Sequence, residues 1–328
     1  MDRIAIVLGT RPEIIKLSPI IKELGIRRIP FYIVHTDQHY DHNLSGQFFT
    51  ELGIDPPEYV GTSLSRVFEE EPTRLVIVQG DTDSAWRGMA SAVLHHIPVA
   101  HVEAGIRSFD DEMPEEWNRR DIDHRAKLLF APTDIAKENL RLEGRTHGVY
   151  MVGNTITDVV DQMRPQHPIR DEYALLTIHR PALVDNKEQL SIVMKALSPI
   201  WMPIVFPIHP RTAKNIEKFK IKIPKNVRVI QPVSYSESLK LIAEAKVVMT
   251  DSGGVQEEAC LLQTPCVTIR DNTERPETLE IGNILAGINE ISIPMAVRTM
   301  TSGPIQWRNP YGKDVSRKII NTITSIEK

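Results

Sequence analysis

Cysteine is scarce in this 328-residue chain, which holds only Cys260 and Cys266. The two flank a predicted helix-to-strand turn without CxxC or Cys/His ligand spacing, which argues against metal or redox chemistry and for small buried side chains. An excess of one charge is missing too. The 39 Lys and Arg face 43 Asp and Glu for a formal net charge of −4, and the Arg27-Arg28 and Arg119-Arg120 pairs stand isolated, so nothing marks a nucleic-acid partner. The apolar run Arg3 to Leu8 is only a strand long, and no charged, apolar and small-residue triplet of segments marks a signal peptide. The expectation is a cytoplasmic protein with no membrane partner. G-x-G-x-x-G does not follow the first predicted strand, and G-x-x-x-x-G-K-[ST] occurs nowhere. Hydride transfer on a nicotinamide and P-loop hydrolysis are thereby disfavoured, and no cofactor is expected.

What is present is a soluble globular composition, 41% hydrophobic and 25% charged, with length enough for two domains. Short β-branched runs alternate with longer amphipathic segments, which predicts βαβ units and parallel sheets. Strands are expected at Ile4 to Leu8, Phe31 to His35, Leu75 to Val78, Val99 to Val102, Leu128 to Ala131 and Val149 to Val152. Arg164-Pro165-Gln166-His167-Pro168 reads as a linker, after which the alternation restarts. Further strands are expected at Tyr173 to Thr177, Pro203 to Phe206, Val227 to Ile230, Val247 to Thr250 and Cys266 to Ile269. The predicted class is α/β, two doubly wound domains over 1–165 and 166–308, with a ligand cleft between them.

Polar groups recur at the predicted strand ends. Gly9 to Glu13, Gln79 to Asp83 and His101 to Gly105 do so in the first half; His179-Arg180, His209 and the turn Thr250 to Glu258 do so in the second. That last segment predicts a strand, a glycine turn and a helix opening with unpaired N–H groups, which suits an anion. A purely structural turn is the alternative. Glu257 and Glu258 read as first-turn acids that suit the helix dipole. Arg11, Lys16, Arg275 and His179, with Ser252, Gly253 and Gly254, offer charge and donors enough for a diphosphate. Asp81, Glu103 and Glu115 form a carboxylate set able to divide acid and base roles. Asp81 could instead cap the following helix and Glu115 could answer a helix dipole, whereas Glu103, after an apolar strand and before Gly105, is costly unless partnered. Asp81-Thr82-Asp83 matches a D-x-D metal pattern, but it introduces a helix in a doubly wound domain. His35, His39 and His42 run from strand to loop to helix and lack a fixed ligand face, so no metal is expected.

As a set, these segments resemble the non-hydrolysing UDP-N-acetylglucosamine 2-epimerases. The matches are Gly9 to Lys16, Thr36 to His39, Gln79 to Thr82, His101 to Arg107, Pro114 to Arg119, Phe130 to Thr133, Gly153 to Thr155, His179-Arg180, Asp251 to Glu258, Thr273 to Glu277 and Asn309 to Gly312. They keep family order over nearly the whole chain. The resemblance implies a GT-B-like fold of two Rossmann-like domains, with a C-terminal helix near 309–328 crossing back to the first. It implies reversible inversion at C2 of UDP-GlcNAc to UDP-ManNAc, by elimination of UDP to 2-acetamidoglucal and re-addition. Asp81, Glu103 and Glu115 match the family's acid/base carboxylates, and His179 matches its histidine beside the diphosphate. Arg11, Lys16, Ser252, Gly253, Gly254, Glu258 and Arg275 match UDP-binding positions, with Glu258 at the ribose, and His209 is placed with them as substrate-binding. Gln38 and His39 match a regulatory nucleotide-sugar segment, and a homodimer is implied. Two departures stand out: Pro181-Ala182-Leu183 replaces a polar loop, and Gly61 to Glu71 is shorter than the family's helix there. A hydrolysing epimerase, a GT-B glycosyltransferase and a catalytically silent nucleotide-sugar binder are the competing readings.

Overall fold

The structure is a computed structural model that describes residues 2–37, 42–166, 168, 171–303 and 306–326. Gln38, His39 and, in the predicted linker, His167 lie outside it. The chain divides into two compact units, Met1–Asp161 with Pro310–Lys328, and Gln162–Asn309.

The first unit carries β1 (Arg3–Leu8), β2 (Phe31–His35), β3 (Tyr59–Val60), β4 (Thr73–Gln79), β5 (Val99–Val102), β6 (Leu128–Ala131) and β7 (Val149–Met151). All pairs are parallel, in the order β3-β2-β1-β4-β5-β6-β7. The second unit carries β8 (Ala174–Thr177), β9 (Ile204–Pro207), β10 (Val227–Ile230), β11 (Val247–Thr250), β12 (Cys266–Thr268) and β13 (Asn283–Leu285), also all parallel, in the order β10-β9-β8-β11-β12-β13. Parallel strands need crossover helices on both faces, so the central strands read as unbroken apolar runs. Ile4 to Leu8 and Val76 to Val78 are completely buried. Burying each such side chain stabilises by about 1.5–3 kcal/mol, an upper estimate given residual structure in the unfolded chain.

In each sheet the strand order reverses once, between β1 and β4 and between β8 and β11. At such a switch point the flanking connections leave on opposite faces and open a crevice at the carboxyl ends of the strands. Gly9 to Arg11 and Gly80 to Thr82 flank the first crevice; His179-Arg180 and Ser252 to Gly254 flank the second.

The C-terminal segment completes the first unit. Its helix Val315–Ile326 packs on the helix Arg11–Ile26. Asp158 caps it, accepting from the N–H groups of Val315 (3.1 Å) and Ser316 (2.7 Å) and from the Ser316 hydroxyl (2.6 Å). Among the described residues, no helix is long and apolar enough to cross a membrane.

Candidate active site

At the first switch point, Glu13 is wholly buried and joins the two connections. Its carboxylate accepts from the N–H groups of Gly9 (2.9 Å) and Thr10 (2.8 Å) and from the hydroxyls of Thr10 (2.9 Å) and Thr82 (2.6 Å). Burial pushes this carboxyl up to about 7 against those four donors. Asp81 does not cap the helix after β4. Thr82 does, accepting from Ala85 N at 3.1 Å, because its hydroxyl sits at the residue preceding Asp83–Leu94. The Asp81 carboxylate instead ion-pairs with Arg119, whose other nitrogen donates to Glu116 at 2.9 Å. Glu116 is 1% exposed and also accepts from Ser108 N and Oγ, both at 2.8 Å; burial opposes its ionisation, yet Ser108 and Arg119 hold it below the usual carboxylate range. Glu115 starts the same helix, Pro114–Arg125, and is exposed.

Glu103 has the partners that a buried carboxylate requires. Its backbone takes φ +68°, a left-handed conformation costly for any residue other than glycine, and it is 5% exposed. Lys16 Nζ ion-pairs with its Oε1, Asn154 Nδ2 donates to the same oxygen at 2.8 Å, and Gln79 Nε2 donates to Oε2. Lys16 is 5% exposed, and this ion pair ties the helix Arg11–Ile26 to the carboxylate. Arg11 stays exposed, its guanidinium 4.4 Å from the centroid of the Phe48 ring. Beneath these loops lies a buried pair that sequence reasoning missed. His101 Nδ1 is 2.6 Å from Asp123 and its Nε2 is 2.8 Å from the Gly80 carbonyl, while Asp123 accepts from Gly105 N at 3.0 Å and ion-pairs with Arg107. Burial opposes ionisation of Asp123, but His101 and Arg107 outweigh it and hold the acid below its ordinary range.

At the second switch point, Ser252 caps the helix Gly253–Leu261, accepting from Val255 N at 3.4 Å. Asp251, wholly buried, accepts from the backbone of His179 (3.0 Å) and Arg180 (2.8 Å) and so ties the turn after β8 to the glycine turn. The His179 side chain is 46% exposed, with its ring centroid 5.8 Å from that of His209. His209 itself accepts from Arg211 N at 3.2 Å and caps Pro210–Phe219. Around the glycine turn Glu274 pairs with Arg180 (2.7 Å) and Arg270 (2.6 Å), and Arg275 pairs with Glu257. Arg180, Arg270 and Arg275 thus stand, each paired with an acid, around a helix N-terminus whose backbone donors suit an oxygen-rich anion. Glu258 is 7% exposed. Because the helix starts at Gly253, Glu257 and Glu258 fall past its first turn and do not answer the dipole there. Pro181 to Leu183 is not a loop either: Pro181–Val184 forms a short helix whose Leu183 and Val184 are buried.

Gln38 and His39 lie outside the described residues, and among those described no cluster of His, Cys, Asp and Glu fits a metal ion. Both cysteines are buried thiols that burial pushes up to about 12.

The family model described as UDP-N-acetylglucosamine 2-epimerase matches residues 23–324. The UDP-N-acetylglucosamine 2-epimerase of Methanocaldococcus jannaschii is 43% identical over 361 residues, covering 98% of this chain and 99% of that protein. A crystal structure of the M. jannaschii UDP-GlcNAc 2-epimerase in complex with UDP-GlcNAc and UDP matches with a TM-score of 0.91 at 42% identity, over 99% of each chain. The UDP-2,3-diacetamido-2,3-dideoxy-D-glucuronate 2-epimerase of Pseudomonas aeruginosa is 37% identical over 334 residues, covering 93% of this chain and 94% of that protein. With a family match across most of its length and relatives this similar over nearly all of it, the chain belongs to the UDP-N-acetylglucosamine 2-epimerase family.

Proposed function

We propose that the protein interconverts UDP-GlcNAc and UDP-ManNAc by eliminating UDP and adding it back, without net hydrolysis. The observation that carries this reading is Glu103, a buried carboxylate held in a strained conformation by three donors at the end of a central strand. The sugar's C2 proton has no adjacent carbonyl to acidify it, so its removal needs a fixed base and a leaving group whose developing charge is stabilised. A carboxylate of the set Asp81, Glu103 and Glu115 takes that proton while the C1–O bond breaks, giving the C1=C2 double bond of 2-acetamidoglucal and free UDP. Protonation of C2 on the opposite face, with return of the phosphate oxygen to C1, completes the inversion. In this reading the glycine turn, His179, Arg275 and Arg11 receive the diphosphate, and Glu258 receives the ribose. Arg180, and Arg270, which the sequence did not single out, stand beside this turn through their shared partner Glu274.

Incubation with UDP-GlcNAc in deuterated water, followed by NMR, tests the proposal. Deuterium at C2 together with UDP-ManNAc is the expected result. Stoichiometric UDP with free N-acetylmannosamine would make the enzyme hydrolytic. Exchange on UDP-2,3-diacetamido-2,3-dideoxy-D-glucuronate in place of UDP-GlcNAc would move the substrate to that of the P. aeruginosa relative.

A further inference from the structure

Two matched segments, Gly153-Asn154-Thr155 and Asn309-Pro310-Tyr311-Gly312, have no role in the chemistry above. Gly153 to Thr155 and the part Pro310 to Gly312 meet in the first unit. Asn154 is 1% exposed, and its backbone N–H donates to the Tyr311 carbonyl at 2.9 Å. Gly153 has φ +102°, and a Cβ built on it would stand 2.2 Å from the Tyr311 oxygen, so the turn closes on that carbonyl at a distance only glycine permits. Asn154 Oδ1 accepts from Ile156 N at 3.1 Å, which orients the amide. The remaining end of that amide, Nδ2, points at Glu103 Oε1.

We infer that Asn154 is a positioning residue for Glu103, fixed by the C-terminal segment at Tyr311, which thereby sets where the proposed base points. The inference rests on the reading of Glu103 as an acid/base group. Both ends of the Asn154 amide are spoken for, so its χ2 is set by Ile156 N–H on one side and the carboxylate on the other. Lys16 and Gln79 hold Glu103 from the helix Arg11–Ile26 and from β4; Asn154 supplies the third direction, from the far side of the sheet order beyond β6 and β7. Three donors from three directions define a position, where two leave a rotation open. Removing one lets the carboxylate swing, and misplacement by about 1 Å costs on the order of 100-fold in rate.

Asn154→Ser and Asn154→Asp test this. Either side chain can still cap Ile156 N–H, and the backbone bond to Tyr311 survives in both, but serine is too short to reach Glu103, and aspartate replaces the neutral amide donor by a second carboxyl that repels Glu103 or competes with it for a proton. The expected result is kcat for C2 deuterium exchange lowered about 10- to 100-fold, with KM and UDP affinity within about threefold of wild type. A kcat within about threefold of wild type in both variants would overturn the inference. So would a fall in kcat that tracks an equal loss of UDP binding and a lowered Tm, since that marks a general structural role. If the wild-type protein itself shows no exchange, the reading of Glu103 fails and the inference goes with it; normal exchange in wild type and variants alike removes the inference alone.

Discussion

At the scale of single residues, the proposed chemistry centres on Glu103. Glu103→Gln removes the basic oxygen yet keeps the shape, and Gln79 can turn its amide to accept in place of donating. The variant should abolish C2 exchange while UDP affinity, measured by calorimetric titration, stays within about threefold; persistent exchange would remove Glu103 as an obligatory acid or base. Glu13 makes a separate prediction. Its carboxyl is raised from 4.5 to about 7, so the folded state binds this proton more tightly than the unfolded chain does. The contribution to stability is therefore full below about pH 4.5 and is lost as pH rises through about 7. Glu13→Gln, which can accept from Gly9 and Thr10 and donate to Thr82, should flatten that decline, by no more than about 3 kcal/mol, in denaturant titrations across the window. Glu103 was legible in the sequence because a carboxylate between an apolar strand and a glycine demands partners. Glu13, His101 and Asn154 fall in segments the sequence marks, but their partners, and Asp123 altogether, were not legible, because a contact with a residue on another element is not encoded in spacing along the chain.

At the scale of elements, the alternating apolar runs were enough to find the central strands, and β2, β5, β6, β10 and β11 match their predicted ranges. The exceptions are β3 and β13: β3 has two residues, too few for a pattern, and β13 is the run Asn283-Ile284-Leu285, which opens on a polar residue at the edge of its sheet. Of the cap readings the sequence left open, Asp81 yields the cap to Thr82, while the helix start at Gly253 leaves Glu257 and Glu258, expected in its first turn, beyond it. Pro181-Ala182-Leu183 read as a loop stripped of polar groups, but its loss of polarity is the price of a helical turn that buries Leu183 and Val184 beneath the His179-Arg180 connection. The cap on the C-terminal helix offers an element-scale test. Asp158→Ala removes three acceptor contacts at the start of Val315–Ile326 and should lower stability by about 1–2 kcal/mol, read as a reduced Tm. An unchanged Tm would mean that the segment is held by its packing on Arg11–Ile26 alone.

For the whole molecule, the two units bring different chemistry to the same kind of crevice. The first gathers acids, with Glu103, Asp81 and Glu13 around the ends of β1, β4 and β5; the second gathers Arg180, Arg270 and Arg275, each paired with an acid, around the helix N-terminus at Gly253. The alignment to the M. jannaschii relative runs over 361 residues, more than the 328 of this chain, so that protein carries residues this one lacks; from the sequence, a short segment is expected at Gly61 to Glu71. In that stretch the helix Leu64–Glu70 still buries Val67 and Phe68 in the core of the first unit. The central claim is reversible proton exchange at C2 without loss of the nucleotide. The direct measurement is proton NMR of UDP-GlcNAc with the enzyme in deuterated water. The account predicts loss of the C2 proton signal with accumulation of UDP-ManNAc to a constant ratio and no build-up of free sugar. Retention of the C2 proton, or UDP released in step with free N-acetylmannosamine, would contradict it.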